Sequence, residues 1–319
     1  MKANAVAKGC KEPLSKRLKR DWHKNKWKYV MIIHVLIYLF LFCYKPMYGL
    51  VIAFKDYKIT RGIDGSSWSN PWYKWFLNFF TDPYFGRLLK NTFMISGLTI
   101  LFGFPAPIIL ALMINEVKNS AFKRTVQTIT YMPYFISMVV MCGLLKTFCM
   151  QDGLFSQIAG IFGGKGQNFL ANPDYFRTIY VLSDIWSGIG WNSIIYLAAL
   201  SSIDQEQYEA ARVDGANRFK QMIHITLPGL VPTIMVLFIL RMGNILNVGY
   251  EKILLLYNSA TYITADVIST YTYRLSFGGS GNPMYSKSTA IGLFNTIINV
   301  FFLMLTNMIS KKATDAGLF

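Results

Sequence analysis

The sequence is poor in charged residues and in the side chains that carry covalent or metal chemistry. Only 15% of its 319 residues are charged, and it contains 4 cysteines and 3 histidines. The cysteines form no CxxC pair and have no histidine partner, so neither a zinc site nor a disulfide framework is implied. A phosphate-binding loop of the GxxxxGK[ST] type is also missing. The sequence therefore gives no sign of a nucleotide-binding site of that kind.

Acidic residues are scarce as well, with 16 Asp and Glu against 32 Lys and Arg, a net charge of +16. Many of the basic residues precede the first apolar run instead of forming a stripe along a folded domain. This placement favours a cytoplasmic flank that faces anionic lipid, and it argues against nucleic-acid binding. The basic cluster comprises Lys16, Arg17, Lys19, Arg20, Lys24, Lys26 and Lys28.

Apolar residues, in contrast, make up 53% of the chain, and the mean hydropathy is +0.33. A bilayer core of ~30 Å needs ~20 apolar residues per helix, and several runs reach that length. The first run is too long for a cleaved signal peptide and lacks a small-residue cleavage site. We therefore predict an all-α membrane protein whose six spans are Tyr29–Phe54, Asn91–Ile114, Thr125–Phe148, Thr178–Leu200, Leu230–Tyr257 and Ser288–Ile309.

Proline positions predict bends inside these spans. Pro105 and Pro107 are expected to kink the second span, and Pro133 the third. The Lys45-Pro46 pair predicts a bend or the outer interface of the first span. The segment 55–89 is polar and aromatic, and it is too interrupted to cross a membrane.

Loop charge predicts the orientation of the spans. With the N-terminus in the cytoplasm, the cytoplasmic side holds the basic tail and further groups such as Lys118, Arg124 and Lys312, whereas the loops 150–177 and 258–287 hold few. The segment 55–89 fits less cleanly, because it carries five basic residues of its own. The bias still predicts that both termini are cytoplasmic.

A polar interruption between the fourth and fifth spans has an internal order. Asp204 is placed to cap a short helix that carries Glu209-Ala210-Ala211, and Gly215 permits a sharp turn after it. A second helix is expected to present Phe219 and its neighbours at helical spacing, and Pro228 to end it.

This stretch resembles the EAA loop of binding-protein-dependent ABC importers. The family pattern is EAA, three residues, Gly, nine residues, Ile-x-Leu-Pro, and it is matched without a gap. The matching residues are Glu209, Ala210, Ala211, Gly215, Ile225, Leu227 and Pro228. In that family the loop is a coupling helix that docks on the cytoplasmic ATPase, so the resemblance implies this role for these residues together with Asp214 and Phe219. Glu209 is expected to cap or brace that helix.

The resemblance implies a type I (MetI-like) permease fold and a set of partners. These are a second homologous permease subunit, a cytoplasmic ATPase dimer that uses ATP and Mg²⁺, an extracellular solute-binding lipoprotein and membrane lipid. It implies no cofactor on this chain and a multi-pass location in the bacterial cytoplasmic membrane. The expected organisation is a basic tail over 1–28, a first span and outer loop over 29–87, the transport module over 88–310 with its coupling loop at 203–229, and a cytoplasmic tail over 311–319.

A narrower resemblance concerns the cargo. The runs Arg241–Ile253, Thr264–Tyr271 and Ser288–Asn295 are similar to permeases for complex oligosaccharides, such as rhamnogalacturonan and alginate fragments. An oligosaccharide is therefore the expected substrate, and a peptide or another polar solute is the alternative within the same class of importer.

Polar and aromatic side chains within the spans are candidates for the wall of a translocation path. Amides can donate and accept hydrogen bonds with sugar hydroxyls, and aromatic rings can stack on sugars. Packing between helices is the competing interpretation for each of them. The candidates are Tyr131, Tyr134, Trp186, Asn192, Ser193, Asn244, Asn247, Glu251, Asn295 and Asn299.

Two other classes of protein fit the sequence less well. An ion-coupled secondary transporter is expected to show inverted repeats and an intramembrane acidic site, for which only Asp184 and Glu251 are candidates. A membrane-embedded enzyme needs paired catalytic residues at one depth, whereas His34 is isolated and Asp184 has no evident partner.

Overall fold

A computed structural model describes residues 14–164, 166–278, 283–314 and 317–318. The beginning of the basic tail, Lys165 and part of the C-terminal tail lie outside the described residues. Within these ranges the regular structure is helical, apart from two isolated bridges in which Lys55 pairs with Trp68 and Lys58 with Gly62.

The helices follow one another with short connections. In chain order they are α1 (Leu14–Leu39), α2 (Lys45–Met47), α3 (Lys74–Phe80), α4 (Phe85–Leu98), α5 (Pro105–Glu116), α6 (Ser120–Tyr131), α7 (Met138–Cys149), α8 (Leu154–Ile161), α9 (Pro173–Ser201), α10 (Gln205–Val213), α11 (Arg218–Gln221), α12 (Leu227–Met242), α13 (Tyr250–Leu256), α14 (Tyr262–Ala265), α15 (Ile268–Phe277) and α16 (Tyr285–Thr314).

Within the described residues, five helical stretches are long and apolar enough to cross a membrane. They are Lys24–Phe54, Phe85–Glu116, Met138–Ile161, Arg218–Met242 and Tyr285–Thr314. The 29-residue helix α9 is also long enough, at ~1.5 Å per residue, to cross a bilayer core of ~30 Å. Its polar side chains leave it outside the five apolar stretches, and together with them it completes a six-helix transmembrane arrangement.

Wide helical turns adjoin the prolines of these spans. Segments of π-helix cover Phe40–Tyr44, Thr99–Gly103 and Met222–Thr226, and each ends two residues before a proline, namely Pro46, Pro105 and Pro228. A proline has no N–H and crowds the carbonyl four residues earlier, and a wider turn relieves that conflict. The expectation that Pro228 ends a helix is corrected here, because the helical path continues from Arg218 to Met242.

The third predicted span is also corrected, because the chain between Thr125 and Phe148 is not one helix. After α6, Met132–Phe135 form a 3-10 turn, and Ile136 and Ser137 are extended. The Ser137 hydroxyl accepts a hydrogen bond from the backbone N–H of Val140 and so starts α7 as a new helix. The bend predicted at Pro133 is therefore a complete break.

The fifth predicted span, Leu230–Tyr257, requires the same kind of correction. Helix α12 ends at Met242, and the chain runs through turns until α13 begins at Tyr250. Gly243 and Gly249 bracket this non-helical segment. The segment, residues 243–249, is called the unwound segment below, because it forms part of the candidate site.

The interior consists of three apolar clusters. One lies around Phe176 and Ile253, a second joins Phe79 to Ile291, and a third surrounds Leu230. The first span contributes little to them, since its apolar side chains between Val30 and Met47 are exposed. Only its last turns, where Ala53 is buried, pack against α16. The bundle that positions the site is therefore built mainly from α3 and the chain that follows it.

Candidate functional site

The coupling hairpin, residues 204–226, begins with the cap that its sequence predicts. The Asp204 carboxylate accepts a hydrogen bond from the backbone N–H of Glu206 at 3.0 Å, which starts α10. Glu209, Ala210 and Ala211 then lie in the middle and last turns of this helix.

The turn after α10 depends on Gly215, whose φ of 75° lies in the left-handed region. Its N–H donates to the Arg212 carbonyl at 3.1 Å, and the Ala216 N–H donates to the Ala211 carbonyl at 2.8 Å. These two bonds form a Schellman motif, which satisfies the carbonyls that a helix end leaves free. A Cβ at Gly215 would meet nothing within 4 Å, so the backbone conformation alone requires glycine here.

Side chains tie the second arm of the hairpin to the bundle. The Asn217 side chain caps α11 by accepting from the N–H of Lys220 at 2.9 Å. The hydroxyls of Tyr208 and Thr226 lie 3.0 Å apart and join α10 to the base of α12. The Arg218 guanidinium approaches the Glu116 carboxylate at the end of α5, at 3.8 Å. The hairpin is thus fixed on one side and free on the other.

The free side exposes most of the residues that the resemblance assigns to coupling. Val213 and Phe219 are 88% and 64% exposed. Glu209, Ala210, Asp214, Gly215, Leu227 and Pro228 are also exposed, whereas Ala211 and Ile225 are half-buried. The expected bracing role of Glu209 is corrected, because its side chain makes no hydrogen bond or ion pair within the described ranges. The hairpin therefore offers an apolar surface with an acidic residue beside it.

The second candidate region is the unwound segment between α12 and α13. Non-helical backbone in a bundle needs partners for its N–H and C=O groups. Ser96 donates to the Ile245 carbonyl, Ser269 donates to the Val248 carbonyl at 3.0 Å, and Asn299 accepts from the Leu246 N–H at 3.0 Å. Side chains from three different helices thus satisfy backbone groups of this segment.

A polar cleft with two lobes lies beside the unwound segment. The first lobe, of about 310 Å³, contains Tyr180, Asn247, Glu251 and Lys252 in its wall. The second lobe, of about 380 Å³, extends along α9 past Gly188 and Asn192. The two lobes share Thr99, Asp184, Arg241 and Asn244. The two lobes are therefore adjacent, and they are treated together as the polar cleft.

Charged groups line this cleft from both of its sides. The Lys252 ammonium is buried, donates to the Tyr180 carbonyl at 2.9 Å and lies 3.4 Å from the Asp184 carboxylate. It also lies 4.4 Å from the centre of the Tyr180 ring. Lys252 therefore offsets the charge of Asp184 from behind the wall, while Arg241 and Glu251 are exposed in the cleft.

Four of the ten predicted path residues line the cleft. Asn244, Asn247 and Glu251 border the first lobe, and Asn192 borders the second. The break after Met242 brings Asn247 and Glu251 there, so the expectation that they extend one continuous helix is corrected.

Other predicted path residues pack inside the bundle. Ser193 is fully buried, and its hydroxyl donates to the Gly190 carbonyl at 2.6 Å. Asn299 is 7% exposed and serves the unwound segment instead. Asn295 is half-buried, and its Oδ1 has no hydrogen-bond partner among the described residues. For these three the placement corrects the predicted position in the path wall.

The predicted aromatic residues also lie away from the polar cleft. Trp186 lines a separate, apolar groove between α7 and α9. Tyr134 stacks on Trp191 with ring centres 4.6 Å apart and planes at 4°, and Tyr131 is the last residue of α6, whose end meets Gly190 of α9. The predicted place of Tyr131, Tyr134 and Trp186 in the path wall therefore stays a prediction.

Sequence reasoning missed Asp184, Arg241 and Lys252 as site residues. On α9, Asp184, Gly188 and Asn192 recur every four residues and share one face, which borders the cleft. Trp186 is two residues from Asp184 and so points to a different side. This spacing could have identified Asp184. Lys252 gave no such signal, because its position depends on the break at 243–249.

Comparison with known proteins relates the chain to membrane transport. The family model "Binding-protein-dependent transport system inner membrane component" matches residues 103–315. Protein LplB of Bacillus subtilis is 43% identical over 95% of this chain and 92% of its own length. The polygalacturonan/rhamnogalacturonan transport system permease protein YteP of the same organism is 42% identical over 97% and 95%.

Two similar solved structures come from alginate transport. One, of a bacterial ABC transporter involved in the import of the acidic polysaccharide alginate, contains a chain 43% identical to this one. Its TM-score is 0.84, with 93% of this chain and 99% of that chain covered. The other is a complex with an alginate pentasaccharide-bound periplasmic protein, at 44% identity, a TM-score of 0.86 and coverage of 96% and 100%.

The family match spans most of the helical bundle, the coupling hairpin and both lobes of the cleft. The matched family is made of membrane components of transport systems, which carry out no covalent chemistry. The chain therefore belongs to the family of inner membrane components of binding-protein-dependent transport systems, as a multi-pass permease subunit of an ABC importer.

Proposed function

We propose that this chain forms part of the translocation path of an ATP-driven importer for oligosaccharides. The observation that carries the proposal is the 42–44% identity, over more than nine tenths of the chain, to proteins described as permeases for polygalacturonan and alginate. The polar cleft supports it, because amides such as Asn192, Asn244 and Asn247 suit sugar hydroxyls. A non-sugar polar solute is the alternative cargo, and no feature of the cleft favours it.

The proposal assigns a direction to the two ends of the molecule. The coupling hairpin lies in the cytoplasm, together with both termini, and docks on a dimer of ATPase subunits that use ATP and Mg²⁺. An extracellular solute-binding lipoprotein delivers the sugar to the opposite side. A second, homologous permease subunit encloses the path with this one in the bacterial cytoplasmic membrane. No cofactor is expected on this chain.

The mechanism requires a helical bundle with two conformations. The ATPase and the binding protein each change the equilibrium between these two conformations. ATP-driven closure of the ATPase dimer moves the hairpin, and the base of α12 moves with it through the Tyr208–Thr226 contact. Because α12 ends at the unwound segment, the movement reaches the cleft along one helix. ATP and the loaded binding protein thus bias the same equilibrium from opposite sides.

The test is a substitution on the free side of the hairpin. We expect Phe219→Asp to abolish co-purification of a Walker-motif ATPase from membranes of the native host, because it places a charge in an apolar docking surface. The side chain is 64% exposed, so folding should be unaffected. Ile59→Asp is the matched control, since Ile59 is 62% exposed and lies in the segment 55–89, outside the coupling hairpin.

The proposal would be wrong if the Phe219→Asp protein retained the ATPase and took up sugar normally. It would also fail if the wild-type chain supported uptake with every ATP-hydrolysing subunit removed, because an ion-coupled transporter behaves in that way.

A further inference from the structure

The side chain of Arg241 is a cation without a counter-charge in the middle of the polar cleft. It lies in the last turn of α12, is exposed, and borders both lobes. Within the described ranges it makes no hydrogen bond and no ion pair. An arginine in a membrane-spanning helix is costly unless it is paired or faces water. An unpaired arginine at this position therefore points to a ligand that binds it transiently.

Three other cations of the bundle are each paired with a carboxylate, whereas the exposed Lys146 of α7, like Arg241, has no ion pair among the described residues. Lys252 binds the Tyr180 carbonyl and Asp184, and Arg274 binds Asp266 through two contacts of 2.8 Å. Lys287 binds Asp82 at 2.6 Å. A carboxylate on this chain thus accompanies each of these buried or half-buried cations, and none accompanies Arg241.

The anionic residues of the cleft make no ion pair with Arg241 within the described ranges. Asp184 is offset by Lys252, which approaches it to 3.4 Å. Glu251 borders the first lobe but not the second. The second lobe is therefore lined by the Arg241 guanidinium, by the Asp184 carboxylate, which pairs with Lys252 instead, and by the amides of Asn192 and Asn244.

We propose that Arg241 determines specificity for acidic oligosaccharides by binding a uronate carboxylate in the second lobe during passage. A guanidinium offers two parallel N–H donors that match a carboxylate, whereas a neutral sugar leaves its charge unpaired. The inference rests on the proposed function and deepens it by naming the substrate class. Two proteins that are more than 40% identical to this chain belong to transporters of acidic polymers, polygalacturonan in one case and alginate in the other.

The amides around Arg241 are placed to complete such a site. Asn247 donates to Asn244 Oδ1 at 3.1 Å, and Asn244 donates to the Leu240 carbonyl at 3.1 Å, so the Asn244 amide is held in place at the lobe junction. The Asn192 side chain makes no hydrogen bond within the described part of the chain and borders the same lobe. It is thus available to the hydroxyls of the ring whose carboxylate Arg241 binds.

The experiment compares two sugars that differ only in charge. The full importer, reconstituted in proteoliposomes with its ATPase, partner permease and binding protein, is given an oligogalacturonide or the same oligosaccharide with its carboxyls reduced. Each sugar is supplied at a concentration that saturates the binding protein, as measured separately. Uptake is followed for the wild type, Arg241→Gln, Arg241→Lys and the control Arg61→Gln. Arg61 is an exposed arginine of the outer segment, remote from the cleft.

We expect Arg241→Gln to lower uptake of the acidic sugar about 10- to 100-fold, the range for one charge-assisted hydrogen-bonded contact. Uptake of the reduced sugar should change less than about twofold, because the substitution removes nothing that it uses. Arg241→Lys should fall between them, since it retains the charge and loses the paired geometry. Arg61→Gln should behave as the wild type.

Equal losses for both sugars would overturn the proposal by giving Arg241 a structural role, and so would unchanged uptake of the acidic sugar. If the wild-type importer took up neither sugar, the proposed function itself would fail. Uptake of both sugars with no effect of Arg241→Gln would leave the importer intact and reject only the role of this residue.

Discussion

The ion pair between Asp82 and Lys287 shows how much one residue outside the membrane spans contributes. The carboxylate accepts from the Lys287 ammonium and from the Tyr271 hydroxyl, each at 2.6 Å. Burial of Asp82 opposes its ionisation, but these bonds outweigh it, and the pKa lies below the ordinary value of 3.8. The pair thus joins the loop before α4 to the start of α16.

We expect Asp82→Asn to destabilise the protein by about 3 kcal/mol at pH 7, because it leaves the Lys287 ammonium buried without a counter-charge. A lowered carboxyl pKa stabilises the fold above the unfolded value and loses that contribution as pH falls through the folded value. The melting temperatures of wild type and variant in detergent should therefore differ at pH 7 and converge as pH falls well below 4.

Asp56→Asn is the matched control at the same scale. The Asp56–Lys74 pair has a similar contact of 2.9 Å, but its side chains are a third or more exposed. Exposed pairs contribute about 0–1 kcal/mol, so the melting temperature should hardly change. Losses of the same size in both variants would contradict the importance of burial.

At the scale of an element, the unwound segment depends on Asn299 and not on Asn295, although the sequence alone does not distinguish these two amide side chains of α16. Asn299→Leu is expected to cost about 1–3 kcal/mol, because the Leu246 N–H loses its acceptor in a buried position. Asn295→Leu, one turn earlier, should be neutral or stabilising, since its Oδ1 is buried without a partner among the described residues. Thermal unfolding of the two variants side by side measures the difference. A larger loss for Asn295→Leu would contradict this account.

The elements were predictable where local chemistry determines them. The cap at Asp204 and the left-handed turn at Gly215 are as expected, because both depend on residues only a few positions apart. The end of α12 was missed, although Gly243 and Gly249 indicate it in retrospect. An apolar run continues past Met242, and whether it unwinds depends on partners from distant helices, such as Ser96 and Asn299.

The site was predictable to the extent that its residues share a helix face. Asp184 and Asn192 lie on one face of α9, whereas Asn299 differs from a path-lining amide only through its contact with Leu246. The contact between Lys252 and Asp184 joins residues 68 positions apart, which no local pattern indicates. Sequence thus indicates which helix faces are polar, and packing decides which of them face the cleft.

At the scale of the whole molecule, the N-terminal extension is joined to the transport bundle by backbone contacts on one side. The Ser286 hydroxyl donates to the Lys55 carbonyl at 2.6 Å and accepts from the Tyr57 N–H at 3.0 Å. Trp75 donates to the same Lys55 carbonyl at 3.1 Å. The segment 55–89 is therefore fixed to the start of α16, while the first span presents its apolar side chains outwards.

The number of membrane crossings predicts on which side of the membrane Ile59 and Val213 lie. Between Ile59 and Val213 the chain passes along Phe85–Glu116, Met138–Ile161 and α9. Three crossings are an odd number, so the two residues should lie on opposite sides. Both are well exposed, at 62% and 88%. We expect a membrane-impermeant maleimide to label Ile59→Cys in intact spheroplasts, and Val213→Cys only after the membrane is opened.

The native cysteines allow this experiment with one change. Cys142 and Cys149 are buried, and their thiols are therefore protected from the reagent. Cys43 is exposed, but it lies within the first span, and a charged reagent does not enter the bilayer. Cys10 of the basic tail is replaced by serine. Labelling of Val213→Cys in intact spheroplasts would place the coupling hairpin outside the cell. A cytoplasmic ATPase could not then bind the hairpin. The proposed mechanism would have to be abandoned, whatever sugar the protein transports.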